Sequence, residues 1–235
     1  MGIAQAGLAF RVSDPIGDLA AVVSTVFDET AVEIPSPVAD RFDIRNHADV
    51  MVQWFGDVCF VCNDPLVAPL LQGQDAAATR VHRALGAPPL LFAFRHDEPA
   101  ASYGYAVFEH GACKRSRLQT GAQPALAESG PPLPFERRWL AAPHFVEDTD
   151  PVHEHRPGTK VYYLGRREVL VPEQRLTGRM LQEGLEAHFD VCPWETLITP
   201  TYRFFRLESW NDGAPSTIVP GDAPAVRRKR WWQRH

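Results

Sequence analysis

The stretch PLLFAFRHDEPAASYGYAVFEHGACKRSRLQTG, residues 89–121, decides the fold class. It divides into three runs with the composition of strands, about 90–96, 102–109 and 112–119. Between them stand Asp97-Glu98-Pro99 and His110-Gly111, both turn sequences. Proline presets one φ, and glycine supplies the positive φ that a two-residue hairpin turn demands. Three strands joined in this way make a meander, so neighbouring strands run antiparallel.

Outward from the meander, DVMVQWFGDVCFVCNDP (49–65) reads as a hairpin, with its turn at Gly56-Asp57 and its close at Asn63-Asp64-Pro65. GLAFRV (7–12) reads as a first strand, VYYL (161–164) as a short one and TYRFFRLESW (201–210) as the last. Three segments have helical spacing. In SDPIGDLAAVVSTVF, Ser13 or Asp14 is the expected N-cap and Pro15 the first helical position. Ile16, Leu19, Val22, Val23 and Val26 form its stripe, and it ends near Asp28. Gln74–Leu85 stops at Gly86. Pro172–Phe189 carries Leu176, Met180, Leu181, Leu185 and Phe189 on one face, despite Gly178 and Gly184 within it. Residues 29–48 and 120–160 read as irregular, the latter rich in Pro, Gly and acid, with Leu133, Phe135 and Trp139 docking locally. The expectation is an α+β fold: a mixed or mainly antiparallel sheet with a β-meander, covered by about three helices near 14–28, 74–85 and 172–189. Residues 1–210 form one domain, and 211–235 a linker with a basic-aromatic tail.

Composition supports a globular chain: 45 % hydrophobic and 23 % charged residues over 235 positions are enough for a sizeable core. No apolar run reaches the ~18–20 residues of a membrane-spanning helix. The start, MGIAQAGLAFRVSDP, lacks a basic n-region, and Ala6 stands where a myristoylation motif wants Ser or Thr. Four cysteines without an export signal point to free thiols in a reducing compartment, hence a cytoplasmic protein. Lys114, Lys160 and Lys229 are the only lysines among 24 basic residues, a bias that a GC-rich coding sequence explains.

The tail RRKRWWQRH (227–235) stands apart. Its five positive charges against a net −5 for the whole chain leave −10 for residues 1–226. Arg227, Arg228, Lys229, Arg230, Trp231 and Trp232 are the candidate partner-binding residues. Guanidinium groups neutralise phosphates while bases stack on indoles, and the same residues suit an anionic membrane surface. An acidic body argues against nucleic acid, because the tail would hold it beside a repulsive surface. The expected partners are therefore a protein first, and an anionic surface, membrane or nucleic acid, through the tail. The tail is expected to be dispensable for folding.

Catalytic signatures are missing. No G-x-S-x-G elbow, Ser-x-x-Lys or phosphate-loop pattern occurs. Cys59-Phe-Val-Cys62 spells C-x-x-C, but inside a strand the two thiols point to opposite faces, so it reads as structural, as do Cys113 and Cys192. His144, His153 and His155 lie among Glu147, Asp148, Asp150 and Glu154, a candidate metal or acid-base cluster interrupted by Pro143, Pro151 and Pro157. A solvated acidic loop accounts for it as well. Asp57 and Asp64 fall at strand ends, where turns select Asp for their own reasons. Glu183 and Glu186 read as a solvated helix face. No metal and no cofactor is expected.

YGYAVFEHGACKRSRLQTG followed by ESGPPLPFERRWL resembles an uncharacterised bacterial family. In that family a strand pair of the type F-A-x-W-E-D-G-x-L-x-R-x-L-S precedes a G-E-P-L-P-F-E segment. The matching positions are Tyr105, Ala106, Val107, Glu109, Gly111 and Arg115, then Gly130, Pro132, Leu133, Pro134, Phe135, Glu136 and Trp139. His110 replaces the family's acidic turn residue, and the C-terminal third departs from the pattern. The resemblance implies one α+β domain and carries no activity. The leading expectation is a non-catalytic cytoplasmic binding or interaction protein. The alternatives are a hydrolase or transferase with a His and carboxylate site at 144–155, and a nucleic-acid-associated protein that uses the tail.

Overall fold

The meander over residues 89–121 supplies three adjacent strands of a nine-stranded sheet, one strand in from an edge. The computed structural model describes residues 4–12, 17–35, 42–121, 123–147, 158–164 and 170–208. The first half runs β1 (Ala4–Arg11), α1 (Leu19–Phe27), β2 (Ala31–Ile34), β3 (Asp49–Phe55), β4 (Val58–Cys62), α2 (Asp64–Leu71) and α3 (Asp75–Ala84). Then follow β5 (Leu90–Asp97), β6 (Ser102–Glu109), β7 (Ala112–Thr120), β8 (Gln123–Ser129), α4 (Pro134–Leu140) and β9 (His144–Glu147). The chain continues with β10 (Thr159–Tyr163), β11 (Leu170–Pro172), α5 (Glu173–Phe189) and β12 (Thr201–Leu207). The large sheet has the order β2-β12-β3-β4-β1-β5-β6-β7-β8, and β11-β10-β9 form a small second sheet. Every ladder among the described residues is antiparallel.

Strand alternation divides the core between the two faces of the large sheet. Leu8, Phe10, Cys59, Val61, Leu91, Ala93, Ala106 and Phe108 pack on one side with the buried residues of α1, α2 and α3. Ala9, Phe60, Cys62, Phe92, Phe94, Tyr105 and Val107 pack on the other with α4, α5 and the small sheet. Cys59 and Cys62 thus lie in different halves of the core, as their spacing within a strand requires. Burial raises the pKa of both thiols, so neither is a ready nucleophile.

Several local expectations need correction. Among the described residues there are five helices, where about three were expected. The N-cap of α1 is Asp18, whose carboxylate accepts from the Ala21 N–H at 3.0 Å, so the helix starts at Leu19. Ser13, Asp14 and Pro15 lie outside the described residues. Asp28, as expected, closes the helix, in the left-handed conformation at φ 58°. Asn63, expected only to close a hairpin, caps a helix, α2. Its side chain accepts from the Leu66 N–H and donates to the carbonyls of Asn46, His47 and Asp49, fixing the approach to β3. The segment 29–48 contains β2, and 120–160 contains β8, α4 and β9.

The helices α4 and α5 are held to the sheet by buried polar groups. A bulge in the β6–β7 ladder, between the pairs Val107↔Arg115 and Phe108↔Cys113, shifts the register of β7. Arg115, Arg117 and Gln119 consequently face inward. Arg115 Nε donates to both oxygens of Glu136 at 2.9 and 3.1 Å, and its Nη1 reaches the Gly130 carbonyl at 2.7 Å. The Tyr105 hydroxyl and the Leu133 N–H also donate to Glu136, which sits at the third position of α4 behind Pro134. Burial, and then the neighbouring Glu136 charge, push the Tyr105 pKa up, so the phenol stays a donor. Arg117 Nε donates to Thr177 Oγ1 of α5, and Thr177 in turn donates to Gln119 Oε1 at 2.9 Å. Five of the residues that carry the family resemblance, Tyr105, Arg115, Gly130, Leu133 and Glu136, meet in this one cluster.

Candidate functional site

On the α5 face, beyond the last aromatic of β5, the surface opens into a groove of about 230 Å³. His96 enters it from β5, two residues past Phe94 on the same side of the strand. Tyr103 is its cross-strand partner on β6, with the rings edge to face at 5.3 Å. Trp194 comes from the turn after α5, where the N–H groups of Glu195 and Thr196 both bond the Cys192 carbonyl. Its indole stacks on the imidazole at 4.4 Å and 30°, with Phe94 5.9 Å away. The third wall is α5, whose Arg175, Gly178, Arg179 and Gln182 share one face at helical spacing. At Gly178 a Cβ would stand 2.7 Å from Tyr103 Cδ1, so a residue with any side chain would lift the helix off the sheet.

His96 is 8 % exposed, and among the described residues neither ring nitrogen has a hydrogen-bond partner. Glu98 Oε1 lies 3.7 Å from Nε2, beyond hydrogen-bonding distance. Burial lowers the His96 pKa, against the opposing pull of Glu98, Glu195 and Asp97. Near neutral pH the ring is therefore uncharged, with one donor and one acceptor nitrogen. An unpartnered buried polar group costs about 1–3 kcal/mol and is uncommon enough in folded proteins to need a reason. The charges around it are divided by origin. Arg175 and Arg179 come from the helix, Glu98 and Glu195 from the sheet end and the turn. Arg179 is engaged with Gln182 Oε1 at 2.9 Å and with Glu183 at 3.4 Å. Arg175 is exposed, and no hydrogen bond or ion pair holds it among the described residues.

The two lowered histidines make stability depend on pH. Burial is the first cause for His96 and for His188, whose ring sits 6.0 Å from Phe92 and 5.9 Å from Phe135. A histidine with a folded-state pKa below the unfolded ~6.5 binds its proton more readily when unfolded. Its contribution is complete above ~6.5 and is lost as pH falls from there toward the folded value. The melting temperature should drop between pH 7.5 and 5.5, and less steeply in the double variant His96→Phe, His188→Phe. Parallel pH profiles for the two proteins would show that the rings titrate normally.

A second cavity, of about 210 Å³, lies between β7, β8, β10 and α5. Its polar walls are already satisfied: Arg117 bonds Glu128 and Thr177, and Gln119 bonds Thr177 and the Glu173 carbonyl. The His96 groove, in contrast to this cavity, has a wall with unmet hydrogen-bonding capacity.

The residues singled out in the sequence fall elsewhere. Arg227, Arg228, Lys229, Arg230, Trp231 and Trp232 lie outside the described residues, as do His153, His155, Asp148, Asp150 and Glu154. His144 is on β9 with its ring 5.2 Å from Tyr162. No group of three His, Cys, Asp or Glu side chains among the described residues could hold a metal ion. Asp57 pairs with Arg11 at 2.8 Å and Asp64 with Arg95 at 2.6 Å. They flank β4 at opposite ends, roughly 20 Å apart at the rise of a strand, and form no carboxylate pair. Glu186 is exposed, but Glu183 corrects the reading of a solvated helix face. It is 7 % exposed and accepts from Trp139 Nε1 and Arg138 Nε, both at 2.7 Å. No helix among the described residues is long and apolar enough to cross a membrane.

The fold and groove define an α+β protein with a large antiparallel sheet, covered by helices on both faces, and a small second sheet. Set against protein-family models, curated proteins and solved structures, the chain matches none of them.

Proposed function

We propose that the chain is a binding protein rather than a catalyst, and that it takes a small organic ligand in the groove between α5 and the β5–β6 edge. The observation that carries this reading is the buried His96 ring, with no hydrogen-bond partner for either nitrogen among the described residues, in a groove that also holds Arg175, which no hydrogen bond or ion pair engages there. A ligand can satisfy both at once, which a solvated surface would not require. The free, raised-pKa cysteines Cys59, Cys62 and Cys192 fit a reducing compartment, in line with a cytoplasmic setting. The reading narrows the expected partner from a protein to a small molecule. The hydrolase or transferase alternative at 144–155 and the nucleic-acid alternative at the tail gain no support from the described residues.

A thermal-shift screen of small charged and aromatic compounds tests it. A ligand held at 100 times its Kd adds about 2.7 kcal/mol, or roughly 5–10 °C for a chain of this size. The shift should vanish in Trp194→Ala and shrink in His96→Asn, while the unliganded proteins still melt cooperatively. Hits that stabilise both variants as well as the parent would place the ligand elsewhere and end the proposal.

A further inference from the structure

We infer that the groove selects a small aromatic zwitterion, of the class of aromatic α-amino acids; this rests on the binding reading above. Size sets the first bound. At about 230 Å³ the groove is below the ~300–1,000 Å³ of sites for drug-sized ligands, yet above the ~150 Å³ that accepts benzene. One ring or two fused rings with a short polar end fit; a nucleotide does not. The walls set the second. Around the His96 ring stand Trp194 at 4.4 Å and Tyr103 at 5.3 Å, the setting in which a further flat ring stacks or packs edge-on.

Charge sets the third. Arg175 and Arg179 on the helix oppose Glu98 and Glu195 at the sheet end and turn, and the lowered pKa leaves His96 uncharged. A simple anion would meet the two carboxylates, and a simple amine would meet the two guanidinium groups. A ligand with a carboxylate toward Arg175 and an ammonium toward Glu195 is matched at both ends. Arg175 is the cation of the pair that no hydrogen bond or ion pair holds among the described residues, so its planar fork can take the carboxylate. The His96 nitrogens are buried at their ring edges, while the Trp194 indole stacks on the ring face. A ligand that shifts a side chain at the ring edge meets one donor and one acceptor there, suited to polar atoms such as a phenol hydroxyl or a ring N–H.

Calorimetric titration of the full chain with tryptophan, tryptamine and indole-3-propionate separates the outcomes. Tryptophan should bind most tightly, and the amine and the acid each about tenfold or more weakly, one charge-assisted contact being lost in each. Arg175→Gln should weaken tryptophan and the acid but leave the amine unchanged. Glu195→Gln should weaken tryptophan and the amine but leave the acid unchanged. Both side chains are exposed, so neither change threatens the fold. Equal affinities for the three compounds, or variants indifferent to which charge is missing, would overturn the zwitterion. If other compounds bind through His96 and Trp194 while tryptophan, phenylalanine and tyrosine do not, the binding reading survives and this inference fails. If no compound binds the groove, both fail.

Discussion

Glu136→Ala is expected to destabilise the protein by about 3–5 kcal/mol, the usual cost of removing one partner from a buried ion pair. The carboxylate is 0 % exposed and collects donors from three separate parts of the chain: Arg115 on β7, Tyr105 on β6 and the backbone of Leu133 before α4. Its loss leaves the Arg115 Nε and the Leu133 N–H without an acceptor and the phenol with only the Met180 sulfur, while the guanidinium keeps Glu128 at 2.8 Å. The contrast is with exposed pairs such as Arg11–Asp57, where both side chains are 42 % or more accessible and removal costs about 0–1 kcal/mol. The loss at Glu136 should lower the melting temperature by roughly 6–20 °C. Glu136→Gln keeps the volume and an acceptor oxygen but not the charge, and should cost about 1.5–3 kcal/mol. Combining Glu136→Ala with Arg115→Met should cost less than the two changes summed, because each single change already breaks their shared contact. Arg115 also serves the carbonyls of Ser129 and Gly130, so the double variant stays below the parent. A loss below ~1 kcal/mol for Glu136→Ala would show that water reaches the carboxylate.

The meander, the β3–β4 hairpin, α3 and α5 are legible in the sequence because each carries its own periodicity and its own stop signals. His110 and Gly111, at φ 50° and 81°, adopt the mirror-image turn that a two-residue hairpin needs. The short strands β2, β8 and β9 lie outside the central strands of either sheet and lack a continuous apolar pattern to announce them. For α4 a signal existed: Pro134 at the first turn and Glu136 at the third position are start signals for a helix. The surrounding prolines mask it. The polar core on β7 is a different matter. Simple alternation sends Arg115, Arg117 and Gln119 to solvent, and only the bulge after Val107 together with α4 and α5 overhead makes that face internal. The candidate site is still less visible. His96 is one histidine in an apolar strand, and Trp194 is 98 positions away, brought to it by the fold alone. That its two nitrogens lack partners is a property of packing, which no spacing encodes. Glu183 fails for the same reason, since its donor Trp139 stands 44 residues earlier.

Trp139→Ala should cost about 3–5 kcal/mol, comparable to Glu136→Ala but through a different mechanism. The indole is 1 % exposed and lies in the core half shared by α5, with Leu176, Met180, Leu181 and Leu185 in the same cluster. Truncation removes the apolar contact of the largest fully buried side chain and leaves a cavity that close packing can only partly refill. It also takes the Nε1 donor from Glu183, a carboxylate otherwise held by Arg138 and Arg179. Trp139→Phe isolates the second effect: most of the packing remains, while a hydrogen bond to a charged acceptor goes, for about 1.5–3 kcal/mol. Chemical denaturation should show a lower midpoint for both variants with an unchanged slope, as expected when stability changes and the surface exposed on unfolding does not. The groove provides a further readout, because Arg175 and Arg179 stand on the helix that Trp139 anchors through Glu183. Any ligand bound there should be held more weakly by Trp139→Ala than by Trp139→Phe, although neither substitution touches the groove. If alanine and phenylalanine variants unfold at the same denaturant concentration, the indole's packing contributes nothing beyond its hydrogen bond. The anchoring of α5 would then rest on polar contacts, those of Glu183 with its arginines and of Thr177 with Arg117 and Gln119.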